Sequence, residues 1–184
     1  MFSENKKNFG KVEPFTLKLD LIKYDFDRYE NEIIRKLSDV STIFSDKKEV
    51  KKILQNSDPI IYTVGEIKVS GKKDHLIFGI GKIFPGRIGN EFYMTNGHFH
   101  KDADGCEIYM CLNGCGYLLL VSKMLQKYNF YMEEGTTAYV PPGWAHRTVN
   151  TGKEVFTCFY AMPANAGHDY ETIKNYCFDN VPFK

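Results

Sequence analysis

Gly135-Thr136-Thr137-Ala138-Tyr139-Val140-Pro141-Pro142-Gly143-Trp144-Ala145-His146-Arg147-Thr148-Val149-Asn150 is the stretch on which the fold reading turns. Two runs rich in β-branched and aromatic residues, Thr136–Val140 and Arg147–Asn150, flank a Pro-Pro-Gly turn, which reads as strand, reversal, strand. The reversal carries His146 back into the interior of whatever sheet these strands build. By residue abundances, this spacing of Gly, Pro, Gly, His and Asn arises by chance about once in 10,000 chains of this length.

A second cluster lies upstream at Gly97-His98-Phe99-His100, with Glu107 seven residues after His100. Alternate side chains of a strand share a face, so His98 and His100 point the same way, roughly 6.6 Å apart along the backbone. Imidazoles so placed can converge on one ion at about 2.1 Å, while Phe99 faces the opposite side, into packing. The turn over Lys101–Gly105, rich in Asp and Gly, can bring the Glu107 carboxylate alongside. A lone strand histidine more often satisfies packing, but three histidines and a carboxylate together point to a metal. Glu107 taken alone could equally be a surface turn carboxylate.

Outward from these clusters, short strand-like segments recur from Pro59 to Met162. They are Ile60–Val69, His75–Phe84, Glu91–Thr95, Glu107–Leu112, Tyr117–Val121, Asn129–Met132 and Val155–Ala161, with the two already named. Many short strands between Gly, Pro and Asn turns predict an all-β antiparallel sandwich or barrel. Residues 1–57 are polar and charge-rich. Phe15–Leu19 alternates as an edge strand, Tyr29–Val40 reads as a helix with Ile33, Ile34 and Leu37 on one face, and Asp46 caps a helix through Leu54. A short helix is expected from His168 or Asp169 to Tyr176. The domain reading is an N-terminal extension, 1–57, packed on a barrel, 58–184, that ends in this helix.

Among 184 residues, 43% are hydrophobic and 26% charged, a globular balance. Lys and Arg number 24 against 23 Asp and Glu, a net charge of +1 that offers no basic excess for nucleic acid or an anionic membrane. The longest apolar runs, such as Leu118–Val121, are too short to span a bilayer, and no apolar leader follows Met1, so a cytoplasmic address is expected. The five cysteines, Cys106, Cys111, Cys115, Cys158 and Cys177, form no disulfide or zinc framework and read as small, mostly buried side chains. Arg147 would face away from His146 as a structural residue, and His75 reads as a surface residue.

The Gly135–Asn150 spacing resembles the second motif of the cupin superfamily, which implies a jelly-roll β-barrel. The chain from about Asp58 to Tyr170 resembles the cupin-type glucose-6-phosphate isomerases of archaea and some bacteria. The resemblance rests on Asp58-Pro59-Ile60-Ile61-Tyr62, Phe84-Pro85-Gly86, Thr95-Asn96-Gly97-His98-Phe99-His100, Glu107-Ile108-Tyr109, Trp144–Asn150 and Ala166-Gly167-His168-Asp169-Tyr170. It implies one divalent metal ion per chain, held by His98, His100, Glu107 and His146. It also implies a phosphorylated sugar held by Tyr62, Thr95, Gly97, Tyr109, His168 and Tyr170, and a place in glycolysis and gluconeogenesis. On physical grounds alone Tyr62 and Tyr109 are ordinary strand residues, and His168 is a capping or exposed histidine. Gly81 stands where the resemblance leads one to expect Thr near the phosphate, and Gly143 where an aromatic is common.

The resulting expectation is a metal-dependent isomerase interconverting glucose 6-phosphate and fructose 6-phosphate, with Glu107 as the base. The ion would be Fe²⁺ first, with Mn²⁺, Ni²⁺ or Zn²⁺ as alternatives for mixed N/O ligation. No Arg or Lys cluster occupies the matched positions, which implies a phosphate cradle of hydroxyls and amides with one histidine cation. The rival readings are another metal cupin (a dioxygenase, a decarboxylase or a different sugar isomerase) and a sugar-binding cupin without chemistry. A homodimer paired through edge strands, with Phe15–Leu19 covering a neighbour, is a further implication of the resemblance.

Overall fold

The computed structural model describes residues 12–70, 72, 75–179 and 181. In chain order it forms β1 (Leu19–Asp20), β2 (Asp25–Phe26), β3 (Asn31–Lys36), α1 (Leu37–Val40), a 3-10 turn (Ser41–Ile43) and α2 (Lys47–Leu54). The strands β4 (Ile60–Lys68), β5 (Leu76–Ile83), β6 (Arg87–Ile88) and β7 (Glu91–Phe92) follow. The chain then makes β8 (Glu107–Asn113), β9 (Cys115–Ser122), β10 (Lys127–Glu133), β11 (Thr137–Val140), β12 (Trp144–Asn150), β13 (Phe156–Pro163) and a last 3-10 turn (Thr172–Asn175).

Nine of these strands make two antiparallel sheets, of order β11-β8-β13-β5-β4-β3 and β10-β9-β12, and β1-β2 and β6-β7 form two further two-stranded pairs. Single bridges from Met94 to Val149 and from His98 to His146 lay residues 94–98 along the free edge of β12. The inner faces enclose a core that includes Ile61, Ile83, Leu118, Met132, Val140 and Phe156, each at most 2% exposed. Residues on one face of a strand are two apart, so these side chains come from alternating positions. The smaller sheet is also covered from outside, where Ile173, Tyr176 and Phe178 pack on Phe99, Val121 and Ala145. That double cover explains why β9 reads Tyr-Leu-Leu-Leu-Val without alternation.

The strand segments expected between Pro59 and Met162 form, apart from Glu91–Thr95, which is reduced to β7 and the bridge at Met94. Asp46 caps α2 as expected, its side chain accepting from the Glu49 amide at 2.9 Å. The helix expected over Tyr29–Val40 does not form as such. Residues 31–36 are strand β3, paired with β4 through Ile33–Val64 and Arg35–Tyr62, and only Leu37–Val40 is helical. Ile33, Ile34 and Leu37 fit either period. Two consecutive β-branched residues favour strand once the open edge of β4 offers ladder hydrogen bonds. The edge strand expected at Phe15–Leu19 is confined to Leu19–Asp20, paired with Asp25–Phe26. The C-terminal helix is a single 3-10 turn, Thr172–Asn175.

The segment before β3 folds over the outer face of the larger sheet. Phe26 meets Tyr29, Phe78 and Phe159 edge-on, at centroid distances of 6.1, 6.2 and 6.5 Å. Lys82 Nζ reaches Asp25 at 2.6 Å on the same face. Among the described residues, no helix is long and apolar enough to cross a membrane.

Asn150, which closes the sequence stretch quoted first, is completely buried where β12 ends. Its Nδ2 donates to the carbonyls of Ile83 and Glu154, each at 2.8 Å, and its Oδ1 accepts from the Gly152 amide at 2.9 Å. One side chain thus ties β12, β5 and the loop before β13. Asn150→Leu keeps the volume but leaves these backbone groups unpaired, which should cost about 3 kcal/mol. Urea denaturation monitored by Trp144 fluorescence measures this loss; a stability equal to wild type would show that the side chain is not the clamp.

Candidate metal centre

His146 lies on β12 and His98 on the run beside it, and the two residues exchange both backbone hydrogen bonds. The His98 amide donates to the His146 carbonyl at 3.2 Å, and the His146 amide donates to the His98 carbonyl at 3.0 Å. Their rings are therefore directly opposite, with centroids 4.5 Å apart. His100 follows two residues later with its ring 5.6 Å from that of His98, while Phe99 turns outward into packing, as the alternation predicts. The Asp/Gly-rich turn then returns Glu107 as the first residue of β8, 3% exposed.

The turn also orients His100. Its Nδ1 lies 3.0 Å from the carbonyl of Gly105, and its Nε2 lies 3.1 Å from Glu107 Oε2. Any β-carbon at Gly105 would stand 2.9 Å from that Nδ1, so the close approach requires glycine. A backbone acceptor on Nδ1 fixes the tautomer that leaves Nε2 free to ligate.

One donor atom from each of His98, His100, Glu107 and His146 lies within 4.8 Å of all the others. His98 Nε2 and His146 Nε2 are buried and lack hydrogen-bond partners. His146 Nε2 lies 2.8 Å from Glu107 Oε2, but the contact has the distance of an ion pair without hydrogen-bond alignment. Buried imidazole nitrogens without partners are costly in a folded interior. Converging with a carboxylate on one point, they fit a cation there, and the donor set matches the residues read from sequence.

Electrostatics favour the ligating forms of His98 and Glu107. Burial, followed by the charges of His146 and His168, holds the His98 imidazole well below the usual histidine range, so it is neutral with an available lone pair. Burial opposes the charge on Glu107 most strongly. The neighbouring His146, the hydrogen bond from His100 and the nearby His98 outweigh it and hold the carboxyl below its ordinary range. Burial and then the Glu107 charge push the Tyr109 hydroxyl well above its usual value, so it stays protonated near Glu107.

A cavity of about 320 Å³ opens against this cluster, lined by His98, Glu107 and His146 on one side. All six residues expected to hold a substrate, Tyr62, Thr95, Gly97, Tyr109, His168 and Tyr170, line it too. The bridge between Phe99 and Asp169 brings in the last two: the Asp169 amide donates to Phe99 at 2.7 Å. His168 then sits 4.3 Å from His98 between ring centroids, and stacks on Tyr170 with the planes 5° apart. Gly97 has φ of +53°, and a β-carbon there would strike Phe178 at 2.8 Å and Arg147 Nε at 3.0 Å. Both reasons restrict this position to glycine.

Arg147 faces away from His146, as expected, with its guanidinium 4.6 Å above the Phe178 ring. His75, read as a surface residue, is half-buried and 2.7 Å from Ser70 Oγ. Cys111 and Cys158 are buried, Cys106 and Cys115 half-buried and Cys177 exposed; all five are free. Of the two departures, Gly81 lines the cavity, and a β-carbon there would meet nothing nearer than the Cys158 carbonyl at 4.0 Å. Gly143 lies outside the cavity lining, in a turn with φ of +80°, where an aromatic side chain would be strained. The sequence reading overlooked Arg35, Asn96 and Thr148, which also line the cavity. Arg35 escaped because its segment reads as helix, and nothing local places it beside Tyr62.

Sequence comparison bears on the whole of this architecture. The model of the glucose-6-phosphate isomerase family matches residues 34–177. A glucose-6-phosphate isomerase of Thermococcus litoralis is 41% identical over 171 residues, 92% of this chain and 88% of that protein. That of Pyrococcus abyssi is 42% identical over 150 residues, 82% and 79% respectively, and that of Sinorhizobium medicae 31% over 162 residues, 88% and 76%. Among solved structures, an oxalate oxidase in complex with the substrate analogue glycolate superposes with a TM-score of 0.52 at 17% identity. It covers 61% of this chain and 56% of its own, a likeness of fold alone. Matched along most of its length and carrying the four donors on a jelly-roll barrel, the chain belongs to the cupin-type glucose-6-phosphate isomerase family.

Proposed function

We propose that the protein interconverts glucose 6-phosphate and fructose 6-phosphate, an aldose–ketose isomerisation at C1 and C2, and that it requires a divalent metal ion. The observation that carries the metal-dependent reading is the convergence of His98, His100, Glu107 and His146 on the wall of a sugar-sized cavity rich in hydroxyl groups. A divalent ion in this set, Fe²⁺ first and Mn²⁺, Ni²⁺ or Zn²⁺ as alternatives, would polarise the sugar carbonyl and its neighbouring hydroxyl.

The chain's own groups divide the remaining work. Glu107 is ionised and borders the cavity, so it can take the proton from C2 of the aldose and return it to C1. Tyr109 shares the cavity lining with that carboxylate and keeps a protonated hydroxyl that can donate to it or to the sugar. Neutral His168, whose affinity for a proton is lowered first by its burial, can exchange a proton with the sugar oxygens. Tyr62, Thr95, Gly97 and Tyr170 supply hydroxyls and a backbone amide to the rest of the sugar phosphate. A direct hydride transfer between C2 and C1 would instead leave Glu107 as a ligand only.

We read residues 1–57 as an extension packed on the barrel of 58–184, supported by β3 extending the β4 edge and by Leu37 in the core. The outward apolar side chains Ile108, Met110 and Tyr139 on β8 and β11 support a homodimer. Five free cysteines are in keeping with a cytoplasmic address.

A coupled assay from fructose 6-phosphate to glucose 6-phosphate should lose turnover on chelation and regain it with Fe²⁺ or Mn²⁺. Turnover that survives complete metal removal would refute the metal requirement, and oxygen consumption without isomerisation would refute the reaction. In Glu107→Gln, calorimetric Mn²⁺ affinity should fall about 100-fold or more, at least the effect seen for lost supporting groups around metals; unchanged affinity would remove Glu107 from the ligand set. Slow turnover in D₂O should place deuterium at C2 of recovered glucose 6-phosphate. Complete absence of label would transfer the reaction to a hydride shift.

A further inference from the structure

The cavity lining joins two chemically different groups of side chains. One group is His98, Glu107 and His146. Arg35 contributes to the lining from β3, the outermost strand of the larger sheet. Its register opposite Tyr62 places it on the sheet face that looks into the barrel, whereas Ile34 faces outward. The Arg35 guanidinium and the Asn96 amide both favour the ionised form of the Tyr62 hydroxyl, and the Arg35 charge acts on the Tyr170 hydroxyl as well. Arginine, two tyrosine hydroxyls and the Thr95–Gly97 backbone therefore gather in one part of the cavity.

What distinguishes Arg35 is that its charge is uncommitted. The ion pairs among the described residues join Lys52 to Glu49, Lys82 to Asp25, Lys127 to Asp179, Lys174 to Glu171, and His100 and His146 to Glu107. Arg35 is in none of them. Lys82, the other Lys or Arg of the lining, is neutralised by Asp25 at 2.6 Å on the outer face. Arg147 stands behind Gly97, outside the lining, against Phe178. Glu66 is the one lining carboxylate besides Glu107, and it is four residues along β4 from Tyr62, about 13 Å of strand. A planar guanidinium with free donors, set opposite a tyrosine in the lining of a polar cavity, matches a tetrahedral dianion bidentately.

We propose that Arg35 is the anion anchor of this site: it grips the substrate's phosphate at the end of the sugar remote from the four metal-ligating side chains. The substrate class rests on the isomerase reading above; the anion site itself rests on Arg35 and its neighbours. The consequence is that the edge strand β3, upstream of the histidine and glutamate motifs, completes the substrate pocket.

The test uses the full-length, metal-loaded protein as wild type, Arg35→Met and Arg35→Lys, with inorganic phosphate as the anion probe. Arg35→Met should raise both KM for fructose 6-phosphate and the inhibition constant for phosphate about 10- to 100-fold, the range for a lost charge-assisted hydrogen-bond pair. At saturating substrate kcat should change far less, and calorimetric Mn²⁺ affinity should stay at the wild-type value, which also certifies that the barrel is folded. Arg35→Lys, which keeps the charge without the fork, should fall between the two. Isomerisation with wild-type KM and phosphate inhibition in Arg35→Met would overturn the anchor while leaving the isomerase intact. Phosphate binding that depends on Arg35 in a protein without isomerase activity would uphold the anchor and refute the reaction. A wild type that binds no phosphate would overturn it outright.

Discussion

The paired backbone hydrogen bonds between His98 and His146 are the constraint on which the centre depends. Each residue donates its amide to the other's carbonyl, at 3.2 and 3.0 Å, so the chain crosses between β12 and the 94–98 run at the position of the two imidazoles. Side chains opposite one another in an antiparallel pair stand on the same face, which fixes both rings without any help from the rings themselves. From this crossing, alternation delivers His100, and the Gly105 turn delivers Glu107. The next bridge, Phe99 with Asp169, delivers His168 and Tyr170 to the opposite flank. A shift of one residue in this register would point His98 outward and Phe99 inward, and the site would be lost as a whole.

The barrel around the crossing makes such a concentration of polar groups tolerable. A carboxylate 3% exposed and two buried imidazole nitrogens without hydrogen-bond partners are each unfavourable in isolation. Their mutual placement offsets part of that cost, since Glu107 lies 3.1 Å from His100 Nε2 and 2.8 Å from His146 Nε2. A cation would offset the rest by satisfying every converging lone pair at once. The apolar core on the far side, from Leu118 to Phe156, keeps these groups from relaxing apart. Asn150 secures the same strand at its other end, which gives the Asn of the motif a structural reason separate from the metal.

Polarity is distributed along the cavity in a way that suits a substrate with two unlike ends. His98, Glu107 and His146 bring buried ligating atoms to the lining, and Arg35, Tyr62, Asn96 and Tyr170 bring hydroxyl and amide groups near a positive charge. The rest of the lining includes small and hydroxyl-bearing residues, Gly81 and Thr148 among them. A substrate gripped through both groups would have its reacting carbons beside Glu107.

How much of this is written locally can be judged residue by residue. His98, His100, Glu107 and His146 were legible because strand alternation, a Gly-rich turn and a Pro-Pro-Gly reversal are properties of short segments, each with its own mechanism. The strands from Ile60 to Pro163 were legible for the same reason. The segment 29–40 was not, because Ile33, Ile34 and Leu37 satisfy a helical and an extended pattern equally; only the unpaired edge of β4, some thirty residues away, selects the strand. Arg35 was hidden with it. His168 and Tyr170 were marked as site residues only by resemblance, since the bridge that turns them toward His98 joins positions seventy residues apart. The sequence by itself therefore determined the barrel class and the four ligands, whose geometry follows from local period and turn chemistry. The tertiary structure alone brought Arg35, His168 and Tyr170 into the same cavity, because that depends on backbone partners far apart in the chain.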